Sequence, residues 1–255
     1  QPRLGWRIES DEQNVMQTAY HILVASSPEL LAQGKGDMWD SGKIETDASQ
    51  WITYQGEPLK CNAPYYWKVK VYTNKGEANW SKPAFWSMGL FNEADWRGQW
   101  IGLDRAAPGD SETQWSRLAA RYLRKEFALK KEIKRATVHI AGMGLYELFI
   151  NGQRIGDQVL APAPTDYRKT ILYNTYDVTS QLQQENAIGV TLGNGRFYTM
   201  RQNYKPYKIP TFGYPKLRLN LIVEYADGSK ETIATNTSWK LTTEGPVRSN
   251  NEYDG

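Results

Sequence analysis

Cysteine is all but missing from this chain. Cys61 stands alone among 255 residues, so no intrachain disulfide can form and the count leaves the redox compartment open. Histidine is nearly as scarce. His21 and His139 each sit inside a strand-like pattern with no triad spacing around them, which makes them structural rather than catalytic. No apolar run approaches the roughly 18 residues of a membrane span, and Gln1 opens without a basic or apolar leader. That opening is compatible with a trimmed signal peptide, and a periplasmic, cell-surface or secreted location is the expectation carried forward. Excess charge is lacking too: Lys+Arg 31 against Asp+Glu 28 leaves +3, too little and too dispersed for nucleic acid. The G-x-S-x-G, G-x-x-x-x-G-K-[ST] and H-E-x-x-H motifs are absent. Gly142-Met143-Gly144 and Gly193-Asn194-Gly195 lack the third glycine of a dinucleotide fingerprint and read as turns.

Aromatic residues are abundant, with Trp 10 and Tyr 16, while Gly 21 and Pro 12 recur between short apolar runs. That composition predicts an all-β protein, and the length accommodates two domains. Tyr20, Ile22 and Val24 alternate with His21, Leu23 and Ala25. Tyr65, Trp67, Val69 and Val71 alternate with Tyr66, Lys68, Lys70 and Tyr72. Period two means strands, and turn signals at Ser41-Gly42, Gln55-Gly56 and Asn74-Lys75-Gly76 separate them. Residues 1–92 read as one sandwich with Tyr65 and Trp67 inside. Alternation is lost between Met88 and Gln99, which predicts a short linker, and residues 97–255 read as a second sandwich with Ile140 and Phe149 inside. There Arg105 to Ser116 reads as a loop. Asn151-Gly152 and Asp227-Gly228 mark hairpins, and Asp177 is placed to cap a helical turn over 177–182.

The first domain resembles fibronectin type III modules. Leu59 precedes Tyr65 by six residues, the spacing of that fold's tyrosine corner, although Cys61 and Ala63 replace the usual proline and threonine. In the second, Tyr146-Glu147-Leu148-Phe149-Ile150-Asn151-Gly152, Gly156-Asp157, Leu160-Ala161-Pro162 and Thr165-Asp166-Tyr167 resemble the accessory N-terminal domain of bacterial α-L-rhamnosidases. Tyr173 to Thr179, Leu192-Gly193-Asn194-Gly195 and Tyr253-Asp254-Gly255 extend the match. A looser likeness, through Asn151-Gly152 and Glu185-Asn186, is to the galactose-binding-like jelly rolls of β-galactosidase-like hydrolases. The resemblance implies a fibronectin-like sandwich followed by a jelly roll, in a fragment whose C-terminal catalytic barrel, its partner in cis, is missing. By that reading the chain holds no catalytic residue.

The segment Gly195 to Tyr207 follows a strand, lacks alternation and mixes aromatic faces with amide and guanidinium groups, the equipment for stacking on sugar rings and bonding their hydroxyls. Asn194, Arg196, Tyr198, Asn203 and Tyr204 are therefore the expected contacts to a rhamnose-containing glycan. The bland alternative is a loop packed against another domain. Asp157 and Asp166 are oxygen-bearing loop residues able to serve Ca²⁺, or simply Asx turns. Carbohydrate recognition, a purely structural buttress and a small complete enzyme are the hypotheses carried forward, in that order.

Overall fold

The computed structural model describes residues 1–105, 118–198 and 212–248. It divides into two compact units, 1–91 and 92–255.

In the first unit β1 (Arg3–Leu4), β2 (Gln17–Ala25), α1 (Pro28–Ala32), β3 (Trp39–Glu45), β4 (Ile52–Thr53), β5 (Pro64–Thr73), β6 (Gly76–Glu77) and β7 (Ala84–Ser87) follow one another. They build a five-stranded sheet ordered β3-β2-β5-β6, with β7 also on β5, and a separate β1-β4 ribbon. Strand β2 is buried on both faces, which explains its nearly unbroken apolar run. Tyr20, Ile22 and Val24 meet Leu4, Tyr54, Tyr65, Val69 and Val71 in the main core. Leu23 and Ala25 pack on the other side with Leu31 of α1, a turn capped by Ser27. The tyrosine corner is present: the Lys60 backbone N–H donates to the Tyr65 hydroxyl at 2.6 Å. Trp67 is half-buried against the core rather than inside it.

The second unit contains β8 (Ile101–Gly102), β9 (Arg121–Ala128), β10 (Ile133–Met143), β11 (Leu145–Ile150), β12 (Gln153–Ile155), β13 (Tyr173–Asp177), β14 (Glu185–Gly193), β15 (Lys216–Tyr225), β16 (Lys230–Ala234) and β17 (Lys240–Thr242). One sheet runs β13-β10-β15-β16 with β8 beside β15, and the other runs β12-β11-β14-β9-β17. Both are antiparallel. Val138, Ile140, Leu217, Leu219, Leu221 and Val223 from the first sheet face Leu123, Leu148, Ile150, Ile188, Val190 and Leu192 from the second across one core. Alternation therefore places Leu148 and Ile150 inside and turns Phe149 outward, correcting its expected burial.

Asn151 and Gly152 take positive φ values of 51° and 81°, as a type I′ turn demands. The Asn151 amide also donates to the Gln181 carbonyl and to Asn186 Oδ1, while its own oxygen accepts from the Ala187 N–H. These bonds tie the hairpin to the head of β14 and to the 3-10 turn Thr179–Gln181. Asp177 serves that turn by accepting from the Thr179 N–H and hydroxyl. The second hairpin closes differently: the Gly228 N–H donates to the Tyr225 carbonyl, and only Gly228 has positive φ.

The stretch expected to be a linker is packed onto the second unit. Asn220, fully buried on β15, accepts from the N–H groups of Arg97 and Gly98 and donates to the Asp95 carbonyl. Gly98 has no room for a side chain, since a Cβ would lie 2.5 Å from the Leu219 carbonyl oxygen. Residues 93–100 thereby cover the outer face of the β10-β15 sheet. Most of the loop expected over 105–116 lies outside the described residues.

Candidate functional site

Strand β14 ends at Gly193, and Asn194 begins a tight corner whose carbonyl accepts from the Phe197 and Tyr198 N–H groups at 3.2 and 3.3 Å. Gly195, at φ 51°, makes that turn beside Leu145. The Phe212 N–H donates to the Phe197 carbonyl at 2.9 Å, so the two described ends of the long loop meet. Aromatic packing reinforces the junction. Tyr167 stands edge-on to Phe197 and Phe212, with centroids 5.3 and 5.5 Å away, and Tyr198 stacks on Tyr214 at 5.7 Å.

The structure thus brings Asn194, Arg196 and Tyr198 to one corner, while Asn203 and Tyr204 lie outside the described residues. Asn194 is buried and Phe197 nearly so, which makes them the corner's foundation rather than its contact surface. Arg196 is exposed and Tyr198 half-exposed. Sequence reasoning missed Tyr167. Its hydroxyl is buried without a hydrogen-bond partner, and burial pushes its pKa up while the Arg196 charge pulls it down. A buried donor left unpaired beside a guanidinium is costly unless something else meets it.

A larger concavity lies on the outer face of the β11-β14-β9-β17 sheet, a groove of about 640 Å³. Its floor is β14, whose outward residues Ala187, Gly189 and Thr191 are all small. Register sets Phe149 on one side of Gly189 and Arg124 on the other, followed by Lys240. The next row runs Thr191, Tyr122, Thr242. Phe149 and Tyr122 therefore flank a floor of minimal bulk, with Tyr122 packed against Gly245 and accepting from the Val247 N–H, and Arg124 paired with Glu126. The floor strand leads to the corner: Asn194 follows Thr191 by three residues, about 10 Å of extended chain.

The two carboxylates expected to serve calcium are not gathered into such a site. Asp166 Oδ1 lies 3.0 Å from Arg168 Nε, and Lys169 reaches the other oxygen at 3.9 Å. Arg168 accordingly holds the Asp166 pKa below the usual carboxylate range. Asp157 is exposed. Among the described residues, no three His, Cys, Asp or Glu side chains cluster around a common point. The histidines also have structural settings. His21 Nε2 lies 2.6 Å from Asp40 Oδ1, and fully buried His139 has Nδ1 3.0 Å from Thr175 Oγ1. Among the described residues, no helix is long and apolar enough to cross a membrane.

Comparison with known proteins agrees with both units. Residues 1–92 match the Rha78A-like N-terminal immunoglobulin domain, and residues 131–255 match the α-L-rhamnosidase N-terminal domain. An α-L-rhamnosidase of Formosa agariphila is 38% identical across the whole chain, which covers 29% of that relative. The solved α-L-rhamnosidase of Dictyoglumus thermophilum is 40% identical with a TM-score of 0.81, covering 94% of this chain and 27% of its own. That of Aspergillus terreus is 32% identical with a TM-score of 0.86, covering 100% and 28%. The chain spans under a third of the length of these relatives. Two consecutive antiparallel β units, matched along nearly their whole length, assign it: the chain belongs to the α-L-rhamnosidase family and corresponds to that family's N-terminal region, an immunoglobulin-like domain followed by the rhamnosidase N-terminal domain.

Proposed function

We propose that this chain is the non-catalytic N-terminal part of an enzyme hydrolysing α-L-rhamnosides, and that its second unit recognises rhamnose-bearing carbohydrate for that enzyme. The observation that carries this reading is the open groove on the β11-β14-β9-β17 sheet. Phe149 offers a ring face for sugar C–H groups, the bare floor at Gly189 admits a ring, and Thr191, Lys240 and Thr242 supply partners for hydroxyls. Where β14 leaves the groove, Arg196, Tyr198 and the unpaired Tyr167 hydroxyl form the end stop for a terminal rhamnose. The groove then holds the glycan's body and the corner its tip.

Titration calorimetry of the whole chain with L-rhamnose and a rhamnose-terminated oligosaccharide tests this. Affinity near the millimolar end, about −4 to −5 kcal/mol, is expected for the monosaccharide, with the oligosaccharide tighter. Absence of saturable heat for both sugars would remove the reading. Calcium enters as an arm of the same titration, in excess and after chelation, because Asp166 is already engaged by Arg168. The chain alone is expected to leave aryl α-L-rhamnosides intact, since inverting and retaining glycosidases alike need a placed carboxyl pair and no such pair lines the groove. Turnover abolished by a single carboxylate substitution in this chain would overturn the non-catalytic assignment.

A second reading, a buttress for other parts of the enzyme, has one specific observation in its favour. Val159, Leu160 and Leu172 are exposed along the segment that carries Tyr167. A chain that binds no sugar but loses self-association or aggregation when Val159 and Leu160 are made polar would favour it.

A further inference from the structure

The immunoglobulin-like unit has its own unexplained cavity, about 350 Å³, between β3 and the β1-β4 ribbon. Tyr20, Trp39, Ser41, Ile44, Trp51, Ile52, Thr53 and Gln55 line it. No charged side chain is among them. The volume sits at the small end of the range for small-molecule sites, about 300 to 1,000 Å³.

Three features do not make sense as fold stabilisation. Trp51 is 72% exposed, the wrong place for a large aromatic side chain. It also holds φ at 60°, a region that non-glycine residues with bulky side chains rarely enter and that costs on the order of 1–3 kcal/mol. A glycine there would turn the chain into β4 with less strain. Pairing of Arg3 with Thr53 brings the Arg3 guanidinium over the indole, its carbon 5.4 Å from the ring centroid, so one ring face is backed by a cation. Beside it Tyr20, only 7% exposed and packed edge-on to Trp6 at 5.1 Å, is part of the cavity lining. The chain next to the lining residues Thr53 and Gln55 is held in place: the Tyr54 hydroxyl lies 2.9 and 2.8 Å from the Met38 and Glu57 carbonyl oxygens, and a Cβ on Gly56 would meet Met38 O at 2.0 Å.

We infer that this cavity is a second carbohydrate site, specific for a neutral pyranose with an apolar edge. The sugar's C–H face lies on Trp51, its hydroxyls meet Tyr20, Thr53 and the Gln55 amide, and Ile44 and Ile52 receive an apolar substituent such as the methyl group of a 6-deoxyhexose. Among the described residues no charged side chain lines the cavity, and the Arg3 guanidinium is held against the Trp51 ring, so a neutral sugar is preferred to a uronate. This site stands on the first unit's geometry and is independent of the groove on the second.

The test uses the whole chain carrying Gly189→Val and Tyr198→Ala, which block the second unit's surfaces. Into it are titrated methyl α-L-rhamnopyranoside, L-mannose, which bears a hydroxymethyl in place of the methyl, and D-glucuronate. Saturable binding of the rhamnoside in the millimolar range is expected, with L-mannose weaker and no measurable binding of the uronate. Trp51→Gly should weaken binding at least about tenfold while leaving the melting temperature equal or higher, because it relieves the positive φ. Tyr20→Phe, a change that removes one oxygen, should weaken binding several-fold without unfolding the unit. Absence of saturable binding at tens of millimolar rhamnoside, or binding unchanged in both Trp51→Gly and Tyr20→Phe, overturns the inference. Loss of binding in the blocked chain but not in the unblocked one also overturns it and leaves the groove as the sole site.

Discussion

The two sheets of the second unit share one core and treat their outer faces in opposite ways. On the β10-β15 sheet the outward residues Thr137, His139, Ala141 and Asn220 are all buried, beneath residues 93–100 and the Tyr173 ring, which stands edge-on to His139. Trp96 stands edge-on to Tyr173 there, and Arg218 lies over Trp96 with its guanidinium carbon 5.1 Å from the ring centroid. On the β14-β9 sheet the outward residues are small on the floor and aromatic or cationic at the sides; residues 245–247 rest against Tyr122, whose ring meets Gly245 and whose hydroxyl accepts from the Val247 N–H, while the floor stays open. On the covered face Asn220 and His139 have hydrogen-bond partners within the fold, so they explain structure. On the open face Arg124 pairs with Glu126 and the Tyr122 hydroxyl accepts from the Val247 N–H, and what stays open is the bare floor at Gly189. Hydrogen bonding of the polar groups does not separate the two faces; the covering of one and the open floor of the other do.

The comparison breaks most easily at Asn220. Its replacement by alanine leaves the Arg97 and Gly98 N–H groups and the Asp95 carbonyl unpaired beneath a sealed face. A loss of about 3 kcal/mol or more in urea unfolding of the second unit is expected, at about 1–3 kcal/mol for each of the three groups that lose Asn220. A loss under about 1 kcal/mol would mean that water reaches that face and that it is no more sealed than the other.

His139 offers a second way in. Burial, helped by the Arg135 charge, lowers its pKa to about 4 from an ordinary 6.5. The unfolded chain therefore takes up a proton below about pH 6.5 that the folded one refuses until about pH 4. Stability should fall by at most about 3 kcal/mol as the pH drops through that window, level off below it, and be insensitive to His139 above it. His139→Asn should abolish this part of the pH slope whatever its effect on stability at neutral pH. A slope unchanged in that variant would place His139 in contact with solvent.

Gly189 gives the smallest expected change in stability. A Cβ there would have Phe149 Cβ as its nearest neighbour at 3.9 Å, an ordinary contact, so Gly189→Val should leave stability within about 1 kcal/mol or raise it, as a β-branched residue replaces glycine in a strand. A strongly destabilised variant would show the floor to be packed rather than open.

How much of this was legible in the sequence depended on whether the signal was local. Alternation in β2, β5 and β14, the Asn151-Gly152 turn and the Tyr65 corner each rest on neighbours a few residues apart, and each was readable. Phe149 was not, because Leu148, Phe149 and Ile150 are all apolar and period two alone does not say which of them faces inward. The segment over 93–100 was misjudged as a linker because its partner, Asn220, lies more than a hundred residues away. The candidate corner was visible through its residue types at Arg196 and Tyr198. The groove was not, since its defining residue is a glycine, which reads as a weakness in a strand until the strands on either side are in place. Trp51 escaped for a related reason: neither positive φ nor exposure is encoded in the identity of a tryptophan.

The most direct test of the open face is the calorimetric titration of a rhamnose-terminated oligosaccharide into the unaltered chain and into Gly189→Val, with the folded state of both checked by thermal melting. If the face is a carbohydrate site, the unaltered chain binds saturably and the valine, projecting from the floor into the groove, weakens binding at least about tenfold, or about 1.4 kcal/mol, at undiminished stability. Equal binding by the two chains would contradict the account, and so would no binding by either.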